Sequence, residues 1–233
     1  MGIWPHRLQA LLNLVLEAQC PLCQRSTNQA FCKDCDRQVQ DCRFSEPAQH
    51  WDDELPLFAW GQYGGALKRA IAALKYHQAA QLGHPMGMWM AEAWRESALV
   101  KERSLIVVPI PMYAEKQRQR GYNQAILLAR GYCDGTGLPL AVNGLVRVRQ
   151  TEAQFGLSGD ERERNLVDAF QVGPSLYRQG RRRAVLLLDD IYTTGATVRA
   201  AMGVLRRQRI PICGVVTLAQ TQARNQSAAS SVG

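Results

Sequence analysis

The chain has 233 residues, 46% of them apolar and 21% charged, which suits a soluble globular protein with one large domain or a large and a small one. This composition excludes a generally disordered or collagen-like chain, and no apolar run approaches the ~18 residues needed to cross a bilayer. The formal charge of +8 is uneven, with a net of −3 over residues 1–60 and +11 over residues 61–233. A basic body of this kind favours phosphate-bearing partners, or is simply a solvated basic surface.

In chain order, Leu8, Leu11, Leu12, Val15 and Leu16 recur at helical spacing with Asn13 and Glu17 opposite, which predicts an amphipathic helix packed on the body. The segment lacks the unbroken apolar run and small-residue cleavage point of a signal peptide, so a cytoplasmic protein is expected. Cys20-x2-Cys23-x8-Cys32-x2-Cys35 follows. Each Cys-x2-Cys turn presents two thiolates, and two such pairs complete a tetrahedral sulfur site for zinc. Four thiolates leave no open coordination position, so the expected role is structural. Disulfides are the competing reading of this spacing, and the expected compartment argues against them. Cys42, Cys133 and Cys213 stand apart and are expected as buried thiols.

From residue 55 the pattern alternates between strand and helix. A strand is predicted at 57–60, a helix from Gly64-Gly65 to about 77, and a second helix at 82–98. A buried strand at 104–108 stops at Pro109-Ile110-Pro111, and a helix at 122–134 is expected to end at Gly135. A basic lead enters a buried strand at 181–188, followed by a helix at 196–209 and a strand at 212–218. The alternation predicts an α/β fold whose mostly parallel sheet carries helices on both faces. The expected division is an N-terminal helix and zinc module at 1–50, an α/β domain at 51–220 and a disordered tail at 221–233. Trp51, Trp60, Tyr63 and Tyr76 could stack on bases, with a core or interface role as the default for each.

The informative segment is Val185-Leu-Leu-Leu-Asp189-Asp190-Ile-Tyr-Thr193-Thr194-Gly195-Ala196-Thr197. A buried apolar strand delivers two adjacent carboxylates to the C-terminal edge of the sheet, where open α/β sheets bind ligands. Hydroxyls, a glycine and a helix start come next, and together they form an anion cradle. Adjacent carboxylates repel phosphate but suit sugar hydroxyls or a phosphate-bound Mg²⁺. The combination specifies a ligand with both a phosphate and a diol. An ordinary helix cap with capping hydroxyls is the plain alternative.

This segment resembles the 5-phosphoribosyl-1-pyrophosphate (PRPP) binding motif of type I phosphoribosyltransferases. The resemblance implies that Asp189 and Asp190 hold the ribose hydroxyls as the catalytic acids, and that Thr193, Thr194, Gly195, Ala196 and Thr197 wrap the 5′-phosphate. A four-cysteine knuckle ahead of such a motif resembles the ComF family, as do Leu74-Lys75-Tyr76, Pro109-Ile110-Pro111 and Arg120-Gly121-Tyr122-Asn123-Gln124. Gln154, Leu157, Arg162, Asn165 and Phe170 continue the pattern, which covers about residues 12–219.

The resemblance implies a pyrophosphate loop at Pro109, Ile110 and Pro111, although the two prolines remove two of its amide donors. Arg118, Arg120 and Asn123 could supply charge and hydrogen bonds in their place, or each Arg could be a solvated residue. The polar stretch 150–166 matches the mobile lid of such enzymes, with Gln154, Arg162 and Asn165 as closing contacts. The family further implies PRPP as ligand with Mg²⁺, and a part in uptake or processing of single-stranded DNA during natural competence beside a helicase-like partner. An active phosphoribosyltransferase acting on an unknown acceptor is the alternative.

Overall fold

Runs of apolar residues too short for helices, bounded by proline and glycine, form the centre of the molecule. The computed structural model describes residues 19–97, 99, 104–149, 169–179 and 183–221. Within them the chain order is α1 (Lys33–Gln40), β1 (Leu57–Gln62), α2 (Gly65–Tyr76), α3 (Gly83–Glu96), β2 (Leu105–Pro109), α4 (Ala114–Arg120) and α5 (Gln124–Thr136). The hairpin strands β3 (Leu145–Arg147) and β4 (Phe170–Val172) follow, then α6 (Pro174–Gln179), β5 (Ala184–Tyr192), α7 (Ala196–Arg207) and β6 (Ile212–Gln220). The predicted helix beginning at Leu8, the lid stretch with Gln154, Arg162 and Asn165, and the tail beyond 221 lie outside the described residues.

The main sheet has the order β1-β6-β5-β2, with every neighbouring pair parallel. Its strands are nearly continuous apolar runs, rich in Val, Ile and Leu in β2, β5 and β6 and aromatic in β1, because both faces are covered. Alternate residues divide between two cores. Leu186, Leu188, Val216 and Leu218 pack with α2, α3 and α5, whereas Val185, Leu187 and Val215 pack with Val198, Met202 and Leu205 of α7. The expected α/β fold with helices on both faces is therefore present.

Neither edge strand is left bare. Val107 of β2 donates to the Pro139 carbonyl and accepts from the Ala141 amide, so a stretch around Leu140 lies along that edge. At the other edge, β1 is bridged by Arg43 and His50, and the Phe44 amide donates to the Trp60 carbonyl. Covered edges deny other chains a template for pairing.

The helix predicted to end at Gly135 runs on to Thr136 and ends at Gly137, whose φ of 73° is left-handed. Gly135 instead faces α3, where an added Cβ would sit 2.6 Å from the Ala91 Cβ. Along the same contact, a Cβ on Gly131 would meet the His84 carbonyl oxygen at 2.1 Å. These glycines let α3 and α5 approach backbone to backbone. Helix α4 was not expected from the sequence, because none of its seven residues is buried and it has no apolar period to read.

The cysteine-bearing segment is built into the body. Cys20, Phe31, Cys35 and Val39 belong to the same core as Phe58 and Trp60. Phe31 stacks on Trp89 at 5.5 Å, and Trp89 stacks in turn on Trp60 at 5.8 Å. Trp60 is wholly buried, Trp51 and Tyr63 pack partly buried against this core, and Tyr76 is exposed. Among the four aromatics considered for stacking on bases, Tyr76 alone presents most of its ring to solvent.

Candidate functional site

Strand β5 carries Asp189 and Asp190 to the C-terminal edge of the sheet, one toward each face. Asp190 is buried and forms an ion pair with the Lys75 ammonium on the last turn of α2. Lys75 is itself only 18% exposed at its side chain. Burial works against the Lys75 charge, but the Asp190 and Asp189 carboxylates outweigh it and raise its pKa above the ordinary lysine value. Asp189 is half-buried, and its Oδ1 accepts the Asp190 amide at 2.8 Å. Desolvation, and then the adjacent Asp190 carboxylate, lift the Asp189 pKa well above the usual carboxylate range, against the opposing pull of that amide and of Lys75. Arg147 of β3 packs its guanidinium 5.5 Å from the Phe170 ring centroid. Burial lowers the Arg147 pKa, with the Asp189 carboxylate acting in the opposite sense.

The strand then turns through Thr193 and Thr194, both exposed, into Gly195 and the start of α7. Gly195 has φ 76° and ψ 0°, a left-handed conformation that glycine adopts at little cost. An added Cβ there would lie 2.4 Å from the Tyr192 hydroxyl and 2.9 Å from the Arg199 guanidinium. Thr194 Oγ1 accepts the Ala196 amide at 3.4 Å, and Thr197 is half-buried in the first turn. Helix α7 thus begins at the same end of the sheet as the acidic pair, and its N-terminus carries the partial positive charge of the helix dipole.

The 109–111 turn is held from two sides, by β5 and by Asn123. Pro109 and Pro111 have no N–H, and the Ile110 amide donates to the Leu188 carbonyl at 2.8 Å. Asn123 donates from Nδ2 to the Ile110 carbonyl at 3.0 Å while its Oδ1 accepts the Ala125 amide at 2.9 Å, capping α5. Tyr122 donates to the Leu74 carbonyl at 2.5 Å, and Arg120 donates to Gln124 Oε1 at 2.5 Å with its guanidinium 5.4 Å from the Tyr76 ring centroid. The Arg120-Gly-Tyr-Asn-Gln124 segment therefore clamps the end of α2 against α5 and the turn. Arg118 lies on the exposed side of α4 and pairs with Glu115. A cleft of about 400 Å³ opens between the end of α2 and α4, lined by Lys75, Tyr76, Gln78, Lys116, Gln119 and Arg120.

The four sulfurs of Cys20, Cys23, Cys32 and Cys35 all lie within 4.8 Å of one another. The first turn is closed by the Gln24 amide donating to the Cys20 carbonyl at 2.8 Å, with Gln24 at φ 64°. Cys32 is the N-cap of α1, and Cys35 lies in its first turn. All four are free thiols. Burial raises the Cys20 pKa, but backbone hydrogen bonds from Cys32, Leu22 and Cys23 overcome it and bring the thiol down to about 7. Four converging soft donors with no disulfide among them suit a metal ion. Cys42, Cys133 and Cys213 lie outside the cluster, and burial pushes the Cys133 thiol up to about 12.

Sequence reasoning did not assign a role to Lys75, Arg147 or Tyr192. Lys75 stood within a matched segment, but no spacing rule connects the end of one helix to the end of a distant strand. Tyr192 stands inside the Val185–Thr197 segment without a role that its position there reveals, and Arg147 carries no local signal, since neighbours across strands or within a loop follow from tertiary packing.

No protein-family profile matches the chain. Competence protein F of Haemophilus influenzae is 29% identical to it, over 84% of this chain and 87% of that protein. Competence protein ComFC of Bacillus subtilis is 26% identical over 78% of this chain and 69% of its own length. The DNA utilization protein YhgH of Escherichia coli is 31% identical over 49% of each chain. Among solved structures, the glutamine PRPP amidotransferase of B. subtilis aligns with a TM-score of 0.37 at 18% identity, covering 60% of this chain and 26% of that one. Adenine phosphoribosyltransferase of Leishmania donovani aligns with a TM-score of 0.37 at 9% identity, covering 67% and 75%.

Proposed function

We propose that this chain, which is similar to competence protein F and ComFC, binds PRPP or a related phosphoribosyl ligand and takes part in handling DNA during natural competence. The observation that carries the ligand reading is the meeting of Asp189 and Asp190 with a left-handed Gly195 at the start of α7. In this reading the acids hold the ribose 2′ and 3′ hydroxyls, and Thr193, Thr194 and the 195–197 backbone hold the 5′-phosphate. Thr194 and Thr197 add hydroxyl donors where a helix dipole already favours an anion.

A divalent cation bound with PRPP would neutralise its diphosphate, and the acidic pair suits a ligand that carries one. Lys75, paired with the Asp190 carboxylate, orients it beside the sugar. Asp189, held toward its protonated form, can donate to a ribose hydroxyl as well as accept from one. The four-cysteine cluster is proposed as a structural zinc site, since four thiolates leave no position for a substrate.

The basic body and the relatives named for competence and DNA utilization support DNA as partner; that it is single-stranded, met on the cytoplasmic side and beside a helicase-like protein, is part of the proposal. A second reading, phosphoribosyl transfer to an unknown acceptor, draws support from the same acidic pair and loop. Transfer would pass through a cationic sugar centre, with leaving-group charge neutralised by cations and basic side chains.

Calorimetry with ribose 5-phosphate and PRPP, with and without Mg²⁺, tests the ligand reading on the wild type and Asp190→Asn. Equal affinity in both proteins sinks it. For DNA, log affinity for a single strand should fall linearly with log salt, at ~0.7 per neutralised phosphate. A deletion strain with unchanged transformation frequency removes the competence role. Release of pyrophosphate from PRPP in the presence of candidate bases would favour the transferase.

A further inference from the structure

Strands β5 and β6 run parallel, so their N-terminal ends lie together at the edge of the sheet opposite the acidic pair. Helix α7 joins the two edges, since it starts at the 193–195 loop and its twelve residues span about 18 Å before β6 begins. At this far edge a cleft of about 480 Å³ opens beside the end of α7 and the start of β6. Clefts that hold small ligands run from ~300 to 1,000 Å³. Met202, Ile210 and Ile212 give the cleft apolar lining, and Arg206 and Arg209 are the cations on it. Glu54, from the segment before β1, is the one carboxylate among its described lining residues.

Arg209 stands where helices most often place glycine. Its φ is 56°, its amide donates to the Arg206 carbonyl at 2.9 Å, and the Ile210 amide donates to the Leu205 carbonyl at 3.0 Å, which closes α7 in a left-handed cap. Glycine would hold this backbone with less strain, and strain that a fold retains points to a use for the side chain. Both arginines are exposed, and among the described residues neither is paired with a carboxylate. Basic residues on the last turn of a helix answer its dipole, which accounts for Arg206 and Arg207 as charges. The dipole does not account for an apolar cleft beside them, nor for Arg183, which reaches the same edge ahead of β5. There the Val185 amide donates to the Pro211 carbonyl at 2.8 Å, so the leads into the two strands run side by side. An apolar surface bordered by guanidinium groups suits a nucleotide unit, whose base has flat apolar faces and whose phosphate matches the guanidinium fork. Glu54 is placed to accept an N–H from a base edge. A simple inorganic anion would gain nothing from the apolar lining, and an uncharged apolar ligand nothing from the arginines.

We propose that this cleft is a binding site for single-stranded DNA, in which Arg206 and Arg209 hold backbone phosphates and the lining of Met202, Ile210 and Ile212 receives a base. The assignment rests on the DNA reading of the chain and adds to it where the strand lies, at the edge of the sheet away from the 189–197 segment. The two ends of α7 then serve two different phosphate-bearing ligands, which do not compete.

The test is fluorescence anisotropy of a short labelled single-stranded oligonucleotide with wild type, Arg206→Gln/Arg209→Gly and Arg95→Gln/Arg130→Gln, a control with the same change in charge. All four arginines are exposed, and the control pair sits on α3 and α5, which pack on the other face of the sheet from α7. Glycine suits the left-handed position 209, so the cleft variant should fold. The expected result is at least a tenfold loss of oligonucleotide affinity in Arg206→Gln/Arg209→Gly and no more than a twofold change in the control. The slope of log affinity against log salt should become shallower by ~1.4 in the cleft variant, for two phosphates at ~0.7 each. Ribose 5-phosphate should not displace the oligonucleotide. Undiminished affinity in Arg206→Gln/Arg209→Gly overturns the site and leaves the DNA reading standing. Equal losses in the two double variants, which report net charge alone, overturn it as well, and so does displacement by ribose 5-phosphate. A wild type that binds no single strand removes the DNA reading and the site together.

Discussion

The Lys75 ammonium on the last turn of α2 is paired with the Asp190 carboxylate near the end of β5, with both side chains largely withdrawn from solvent. The pair joins a helix on one face of the sheet to the strand that delivers the acidic residues. Tyr122 donates to the carbonyl just before Lys75, so the segment leading into α5 helps to hold the ammonium in position. A buried carboxylate without a counter-charge would be expensive. The same carboxylate is proposed to meet a ribose, so one ion pair supports both folding and binding.

Lys75→Met should cost roughly 3 kcal/mol, because it leaves the Asp190 charge buried and unpaired. For a chain of this size that corresponds to a fall of about 8 °C in Tm. The double variant Lys75→Met/Asp190→Asn should recover most of the loss. Thermal unfolding of the four proteins in this cycle checks it, and an additive result would show that the two residues do not couple.

Asp189 gives a pH dependence with a definite sign. Its carboxyl is raised in the folded state, so the native protein holds a proton that the unfolded chain releases above about pH 4. This contribution to stability is full below the unfolded value and is lost as pH rises toward the raised folded value. Asp189→Asn should therefore flatten the fall in stability as pH rises above about 4, and should be at least as stable as wild type at pH 7. It should also weaken ribose 5-phosphate binding tenfold or more. Urea unfolding at several pH values, with calorimetry at pH 7, reads both effects.

Gly195→Ala should lose about 1–2 kcal/mol from the left-handed backbone alone. The added methyl would also press on the Tyr192 hydroxyl and the Arg199 guanidinium. Ribose 5-phosphate binding should disappear even where the variant is folded, because the loop must move to make room. Tyr192→Phe in the Gly195→Ala background removes the closest of these contacts and should restore part of the stability. Unchanged binding in Gly195→Ala would show that the 195–197 backbone does not hold the phosphate.

Removal of metal from the cysteine cluster should be felt beyond the first 50 residues. Phe31 stacks on Trp89, Trp89 stacks on Trp60, and Cys35 and Val39 lie in the shared core. Chelation, or Cys23→Ser, should lower Tm and change tryptophan fluorescence in a single cooperative transition. Two separate transitions would mean that the cysteine segment folds as an independent module. Elemental analysis of the purified protein should give one zinc per chain.

The local features, whose physics is short-range, are legible in the order of the amino acids. Four cysteines at two Cys-x2-Cys spacings can converge wherever the rest of the chain goes. Four runs of apolar residues without polar alternation must be strands buried on both faces. An acidic pair, two threonines and a glycine between such a strand and a helix are neighbours by covalent connection. Other features carried no local signal. Helix α4 has no buried residue, so no hydrophobic period revealed it. Gly135 reads as a helix stop until α3 is packed beside it, and then it is a point of close approach. Tertiary structure alone brought Lys75 to Asp190, spent the Ile110 amide on Leu188, and gathered Lys75, Lys116 and Arg120 around one cleft. Those relations join residues from different elements, and their electrostatics depend on burial and separation, which arise only when the helices dock on the sheet.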